Sequence, residues 1–450
     1  MLSQKKSFYV RAAIMAVALA AVPASTSAVA EDQAETDRQL RLFLDLFQRV
    51  RTSYVDKVDD KELIKGAING MLSNLDPHSS YMDGSEFQNF KIRIDGNYAG
   101  IGASVAMDDG FLKVIAPTED SPAYVAGVKP GDFITHIDGK LVYGATLDEA
   151  VDKLRGEAGT PVKLTIAREG RDQPFDLSIK RAIIDLKPVK WKVQDGVGII
   201  NINEFSTNAG QDVRAAIGSI KKSLGHEPIG YIIDLRSDPG GSLNEAVSIS
   251  DTFLDSGQIV SQRGRYPYDN ATFVASKGDM ANGLPIIVLI DAGSASASEI
   301  VAGALQDQHR AVIMGERSFG KGSVQTWQQL SDNSALKLTT ARYYTPSGRS
   351  IQEGGIEPDI AVPQLSDPDV AKRPKYRETD LRRHLINEAK VDRKELESDS
   401  NPDPRFKATS EELKKQGIED FQLTYALETL GRLAGQPRLA SAAPTGKKSK

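Results

Sequence analysis

Between residues 197 and 340 short apolar runs at 197–202, 230–235, 259–262, 286–290 and 312–315 alternate with segments of helical period at 209–224, 243–254 and 297–306. That alternation predicts an α/β core whose neighbouring strands run parallel and are joined by right-handed crossovers. Few other architectures accept such an order.

Upstream the pattern changes. Residues 97–181 hold short β-rich runs at 111–116, 132–137, 162–168 and 174–179, punctuated by Gly and Pro, with helical stretches at 123–127 and 147–154. Thr146 with Glu149 three residues on forms a capping box for the second. One small, mostly β module is the natural unit, spanning 96–183. Before it, Leu40, Phe43, Leu44, Phe47 and Val50, then Leu63, Ile64, Ala67, Ile68 and Met71, recur at helical spacing with a break at 55–60. They predict two amphipathic helices in an N-terminal segment, 31–95. Their apolar faces suit either packing on the chain itself or a dimer interface. Beyond the core, 184–366, the stretch 367–450 reads as a charged helical tail, disordered over 440–450.

Lys5, Lys6 and Arg11 precede an apolar run at 12–22, and Ala28-Val29-Ala30 follows, the layout of a cleavable export signal over 1–30. The run is shorter than the roughly 20 residues of a membrane span. The alternative is an uncleaved anchor, with peripheral association to a membrane. Loss of those three basic residues moves the formal charge from -5 to -8, a balance that argues against a nucleic-acid partner. The absence of cysteine excludes a thiol nucleophile, disulfides and a Cys-based zinc site. About 420 residues remain after such a cleavage, enough for two or three domains.

The chemistry concentrates in three stretches. Gly293-Ser294-Ala295-Ser296-Ala297-Ser298-Glu299 joins an apolar run to a helical one, a corner that presents a hydroxyl to solvent beside free helix N–H groups. Ser296 and Glu299 also have capping-box spacing, which is the purely structural reading. A serine needs a base. Of the five histidines, His136 sits in an apolar β-run, His226 in a polar turn, and His309 about 15–20 Å along the helix from Ser296. Lys321, in Ser318-Phe319-Gly320-Lys321-Gly322-Ser323 after the next strand, serves as a base once burial lowers its pKa; otherwise it is surface charge. The run 315–322 nearly matches a phosphate-binding loop but has Gly322 where a hydroxyl belongs, and no helical period follows. Asp238-Pro239-Gly240-Gly241-Ser242 ends another strand, with paired glycines that suit close backbone approach or a plain turn.

These runs, with Leu75 to Met82 (LDPHSSYM) and Tyr343 to Asp359 (YYTPSGRSIQEGGIEPD), closely resemble the carboxyl-terminal processing peptidases, or tail-specific proteases, over roughly 40–365. The resemblance implies Ser296 as nucleophile, Lys321 as general base 25 residues on, and Gln325, four residues beyond the lysine, as the group that orients it. It places the oxyanion hole at the N–H groups of Ala297 and Gly241, with Gly240 as the alternative donor. It implies a core like those of crotonases and Clp proteases, and a PDZ module whose carboxylate loop is Tyr98-Ala99-Gly100-Ile101-Gly102-Ala103, helped by Ser121-Pro122-Ala123 and Lys129-Pro130-Gly131-Asp132. Neither metal nor organic cofactor is implied. The expected partners are proteins or peptides with free, apolar C-termini, in a periplasmic enzyme that self-associates. Two rivals stand beside this reading, a non-catalytic PDZ adaptor and an acyl-chain enzyme of the crotonase type. The Ser/Lys/Gln spacing tells against both.

Overall fold

The computed structural model describes residues 24–369, 375–389 and 405–435, and the chain divides into one unit ending at Met71 and a second beginning at Leu72. Most of the signal-like stretch 1–30 lies outside the described residues. The first unit carries helix α1 (Ala24–Ser53) and most of helix α2 (Asp60–Ser73), with Arg51 and Asp60 paired at 3.1 Å across the expected break. Within the apolar stripe that predicts these helices, Leu40, Leu44 and Met71 are each more than half exposed, while Phe47, Leu63, Ala67 and Ile68 are partly buried. Among the described residues no helix is long and apolar enough to cross a membrane.

The second unit opens with β1 (Ser80–Met82) and α3 (Gly84–Asp95), a helix started by the Asp83/Glu86 capping box and stopped at Gly96, where φ is 70°. The small β module follows as β2 (Asn97–Gly100), β3 (Ala103–Asp108), β4 (Phe111–Pro117), α4 (Pro122–Val125), β5 (Phe133–Ile137), β6 (Lys140–Leu141), α5 (Leu147–Leu154), β7 (Pro161–Ala167), β8 (Phe175–Lys180) and β9 (Ala182–Asp185). Its sheet runs in the order β3-β4-β5-β7-β8, with β6 added to β5, while β2 and β9 pair where the chain enters and leaves. Thr146 and Glu149 form the expected box at the start of α5. Alternate residues of β4, β5 and β7, among them Leu112, Val114, Ile134, Leu164 and Ile166, meet Ala150 and Leu154 of α5 in a core of their own.

The remaining elements are β10 (Val189–Gln194), β11 (Val197–Ile202), α6 (Ala209–Leu224), β12 (Tyr231–Asp234), α7 (Leu243–Thr252), β13 (Gln258–Gly264), β14 (Ala271–Val274), β15 (Ile286–Ile290), α8 (Ala297–Asp307), β16 (Val312–Gly315), β17 (Ser323–Gln329), β18 (Ala335–Tyr344), β19 (Ile360–Ala361), α9 (Ser410–Lys415) and α10 (Phe421–Leu433). The main sheet has the order β10-β11-β12-β15-β16-β19 and is parallel except at β10. Ile200, Ile233 and Val288 pack against α6, α7 and α8 on one face. Their sequence neighbours Ile199, Ile232 and Ile287 face Leu423, Ala426, Leu427 and Leu430 of α10 on the other. A sheet buried on both sides needs uninterrupted apolar strands, which is why β12 and β15 read as continuous runs.

One expectation is corrected. The run 259–262 does not join the parallel sheet; as β13 it lies in a separate antiparallel sheet with β14 and β18, which also carries β1 and β17. An apolar run of that length fits either sheet equally well, so its pairing is set by distant partners. The stretch read as a charged helical tail holds helices α9 and α10. Helix α10 covers a sheet face, and its N-cap, Asp420, meets the Arg236 guanidinium at 2.8 Å, with Asp234 on the other side at 2.7 Å. Residues 440–450, expected to be disordered, fall outside the described residues.

Candidate active site

Strands β12, β15 and β16 are parallel neighbours, so the loops leaving their C-terminal ends open on one edge of the sheet. These loops are 235–242, 291–296 and 316–322. The topology thereby gathers the three chemical stretches of the sequence in one place.

Ser296 is the N-cap residue of α8 and adopts φ 55°, ψ -110°, a conformation that costs a non-glycine residue about 1–3 kcal/mol. A strained strand-to-helix turn of this kind pushes its side chain outward. The Ser296 hydroxyl makes no side-chain capping bond. Its backbone N–H donates instead to Glu299 Oε2 at 2.7 Å.

Glu299 is the residue the sequence undersold. Its carboxylate is fully buried and accepts four hydrogen bonds, from Ser318 Oγ at 2.6 Å and Gly320 N at 2.7 Å on Oε1, and from Ser296 N and Lys321 N at 2.7 and 2.9 Å on Oε2. One oxygen thus touches the backbone of both Ser296 and Lys321, whose nitrogens lie no farther apart than those two bonds laid end to end. Burial pushes the Glu299 pKa up to about 7 against the pull of these donors.

Burial lowers the Lys321 pKa to about 8, with the nearby Lys337 ammonium acting the same way and Glu378, Glu299 and Asp76 opposing. Its side chain borders a cavity of about 940 Å³, along with His78, Arg236, Gly293, Ala295 and Phe319. The Ser296 hydroxyl and the Lys321 ammonium share no hydrogen bond. Gln325 forms none with Lys321 either; its amide nitrogen donates to Ser323 Oγ at 2.9 Å and Thr339 Oγ1 at 3.2 Å. Thr339 in turn donates to Asp76 Oδ1 at 3.1 Å. Gln325 therefore braces the wall beside the lysine through β18. No helix follows Gly322, so the phosphate-loop likeness ends in β17.

The glycine turn faces Ser296. A first side-chain carbon on Gly240 would stand 2.6 Å from Ala295 O and 2.8 Å from Ala297 N, and one on Gly241 would stand 2.5 Å from Phe205 O. Both have positive φ, 93° and 153°. The Gly240 N–H is already given to Asp238 Oδ1 at 2.8 Å. Among the described residues the N–H groups of Ala297 and Gly241 have no acceptor, which distinguishes Gly241 from Gly240 as a donor to a ligand. Asp238 also ties the two turns, its backbone carbonyl accepting Ala295 N at 3.0 Å. No group of three or more His, Cys, Asp or Glu among the described residues is arranged to hold a metal.

In the β module, β3 is an edge strand. Ala99 and Gly100 are committed to pairing with β9. The N–H groups of Ile101 and Gly102 have no acceptor among the described residues, and the Ile101 side chain is buried in the module's core. His78 escaped the sequence reading, although its LDPHSSYM surroundings were singled out.

A family model for the PDZ domain matches residues 113–168, one for peptidase family S41 matches 196–362, and one for the activating protease CtpB N-terminal domain matches 1–86. The chain is 49% identical over 362 residues to a carboxy-terminal-processing protease of Bartonella bacilliformis, covering 80% of this chain and 83% of the relative. The chain belongs to the carboxy-terminal processing proteases of family S41. It is also 38% identical over 332 residues to the carboxy-terminal processing protease CtpA of Bacillus subtilis, covering 73% of this chain and 69% of that one. A solved photosystem II D1 C-terminal processing protease is 28% identical, with coverage of 73% and 93% and a TM-score of 0.41. As an S41 member the chain is a serine protease with a PDZ domain. Gly240→Ala is expected to lower kcat about 100-fold, because the added methyl group intrudes on Ala297 N–H. Steady-state kinetics beside a urea unfolding curve separates this from loss of fold.

Proposed function

We propose that this S41 protease cleaves exported proteins at or near their carboxyl termini with a Ser296/Lys321 dyad, on tails presented by its PDZ domain. One observation carries the reading. A single buried carboxylate, Glu299, fixes the backbone of a strained serine and of a lysine whose pKa burial has lowered to about 8. Lys321 Nζ takes the Ser296 proton as Oγ attacks the scissile carbonyl carbon, and the N–H groups of Ala297 and Gly241 receive the oxyanion. As the tetrahedral intermediate collapses, the ammonium returns that proton to the leaving amine, leaving an acyl group on Ser296. Lys321 then draws a proton from water as its oxygen attacks the acyl carbon, and the ammonium hands that proton to Ser296 Oγ as the ester bond breaks, which releases the new carboxyl terminus and restores the serine. Gln325 keeps the lysine's wall in place.

The edge strand β3 favours an added peptide strand, with the terminal carboxylate on Ile101 and Gly102 N–H and apolar side chains beside it. The signal-like stretch 1–30 supports a periplasmic location, with its uncleaved form as a peripheral membrane attachment. Exposed Leu40, Leu44 and Met71 on α1 and α2 support self-association through 38–72. A parallel sheet whose strand-end loops carry nucleophile and oxyanion donors supports the crotonase and Clp-type arrangement of the core.

The test is degradation of an unstructured protein ending in apolar residues, against the same protein with its terminal carboxylate amidated. The free tail is expected to be cut at least tenfold faster. Binding of both tails with no cleavage would hand the function to a non-catalytic adaptor.

A further inference from the structure

Glu378 lies beyond the matched S41 segment, in the part of the chain read from sequence as a tail. It is fully buried. Its backbone N–H donates to Phe319 O at 3.1 Å. Its Oε1 accepts Gln352 Nε2 at 2.9 Å, and the other end of that amide, Gln352 Oε1, accepts Gly322 N–H at 3.1 Å. Glu378 therefore grips the loop at Phe319 and, through Gln352, at Gly322, on both sides of Lys321. From the opposite direction His78 Nε2 lies 2.8 Å from Glu378 Oε2.

The grip is not an accident of a loose strand. The same segment is pinned again by His384 Nε2 to Glu353 Oε1 at 2.8 Å and by Asn387 Nδ2 to Gln352 O at 2.7 Å. It closes one wall of the cavity that Lys321 borders.

We propose that Glu378 is a positioning residue for Lys321, holding its loop in register with Ser296 and setting its charge balance through a buried anion. The proposal rests on the reading of Lys321 as the base. The charged and titratable groups around the lysine are Glu299 from α8, Asp76 ahead of β1, Lys337 from β18, Glu378 itself and His78, which faces Glu378 at 2.8 Å, so removal of one anion moves the balance toward the neutral amine.

Glu378→Gln keeps the size of the side chain and its acceptor oxygen while removing the charge. The pH dependence of Lys321 acylation by a small anhydride, read by peptide mass spectrometry in the full chain carrying Ser296→Ala, reports the lysine's titration without using activity. Glu378→Gln is expected to lower that midpoint by about one pH unit, with the thermal midpoint nearly unchanged. With Ser296 in place, the acid limb of kcat/KM is expected to move by the same amount. Gln352→Met, which breaks the bridge to Gly322 and leaves the charge, is expected to lower kcat about tenfold at constant KM and constant labelling midpoint.

An unmoved labelling midpoint in Glu378→Gln, or full kcat in Gln352→Met, overturns the proposal. A shifted labelling midpoint with an unshifted kinetic limb would uphold the tuning and instead remove Lys321 as the base.

Discussion

Ser296→Ala and Lys321→Met are each expected to lower kcat/KM on a tail-bearing substrate by about 10⁴-fold or more, with the double variant little worse than either. Two groups that act in one proton transfer fail together, so the losses do not add. The lysine change should behave oppositely in stability. A lysine whose folded pKa is depressed to about 8 from 10.5 binds fewer protons than the unfolded chain between those values. Its favourable contribution is complete above 10.5 and is lost as pH falls through 8. At neutral pH the folded protein thus carries a cost of roughly 3 kcal/mol that methionine removes. Urea unfolding at pH 7 should show Lys321→Met more stable than the unaltered protein. For the unaltered protein, kcat/KM should rise tenfold per pH unit up to about 8 and level off above it, because only the neutral amine accepts a proton. A profile flat from pH 6 to 9 would remove Lys321 from the role of base.

Glu299→Ala is expected to damage both activity and fold, with kcat down about 10³-fold and stability down on the order of 3–5 kcal/mol. Alanine leaves the N–H groups of Ser296, Gly320 and Lys321 and the Ser318 hydroxyl without their acceptor in a dry site. Glutamine is expected to recover little, because its amide N–H₂ turns two more donors toward donors. Parallel kinetic and unfolding measurements decide the matter. A Glu299→Gln variant with full turnover would show that the carboxylate is only helix capping.

The capping-box reading of Ser296 and Glu299 shows where sequence stops. Spacing of i and i+3 reports the half of Glu299 that meets Ser296 N–H, which the structure contains. It says nothing of the other half, since the return of residues 318–321 depends on strand order. The core strands at 197–202 and 286–290, and helix α5 at 147–154, were legible because period and caps are local signals. The motif loops were legible as chemistry, and the parallel order of β12, β15 and β16 supplied their meeting. His78 and Glu378 were invisible for the same reason as the placement of β13: each takes its meaning from a partner far away in the chain, 300 residues for that pair. The C-terminal stretch read as helical, but its charge hid the packing role of α10, which lays Leu423, Ala426, Leu427 and Leu430, with Phe421 and Tyr425 beside them, against the sheet.

Helix α10 has a temporal consequence. Two residues past the strand that leads into the glycine turn, Arg236 waits for Asp420, and one face of the sheet waits for residues 423–430. A ribosome that has finished every catalytic residue still holds a chain lacking the layer beneath them. The sheet that carries the site is therefore closed on both faces only once the last described helix has been made.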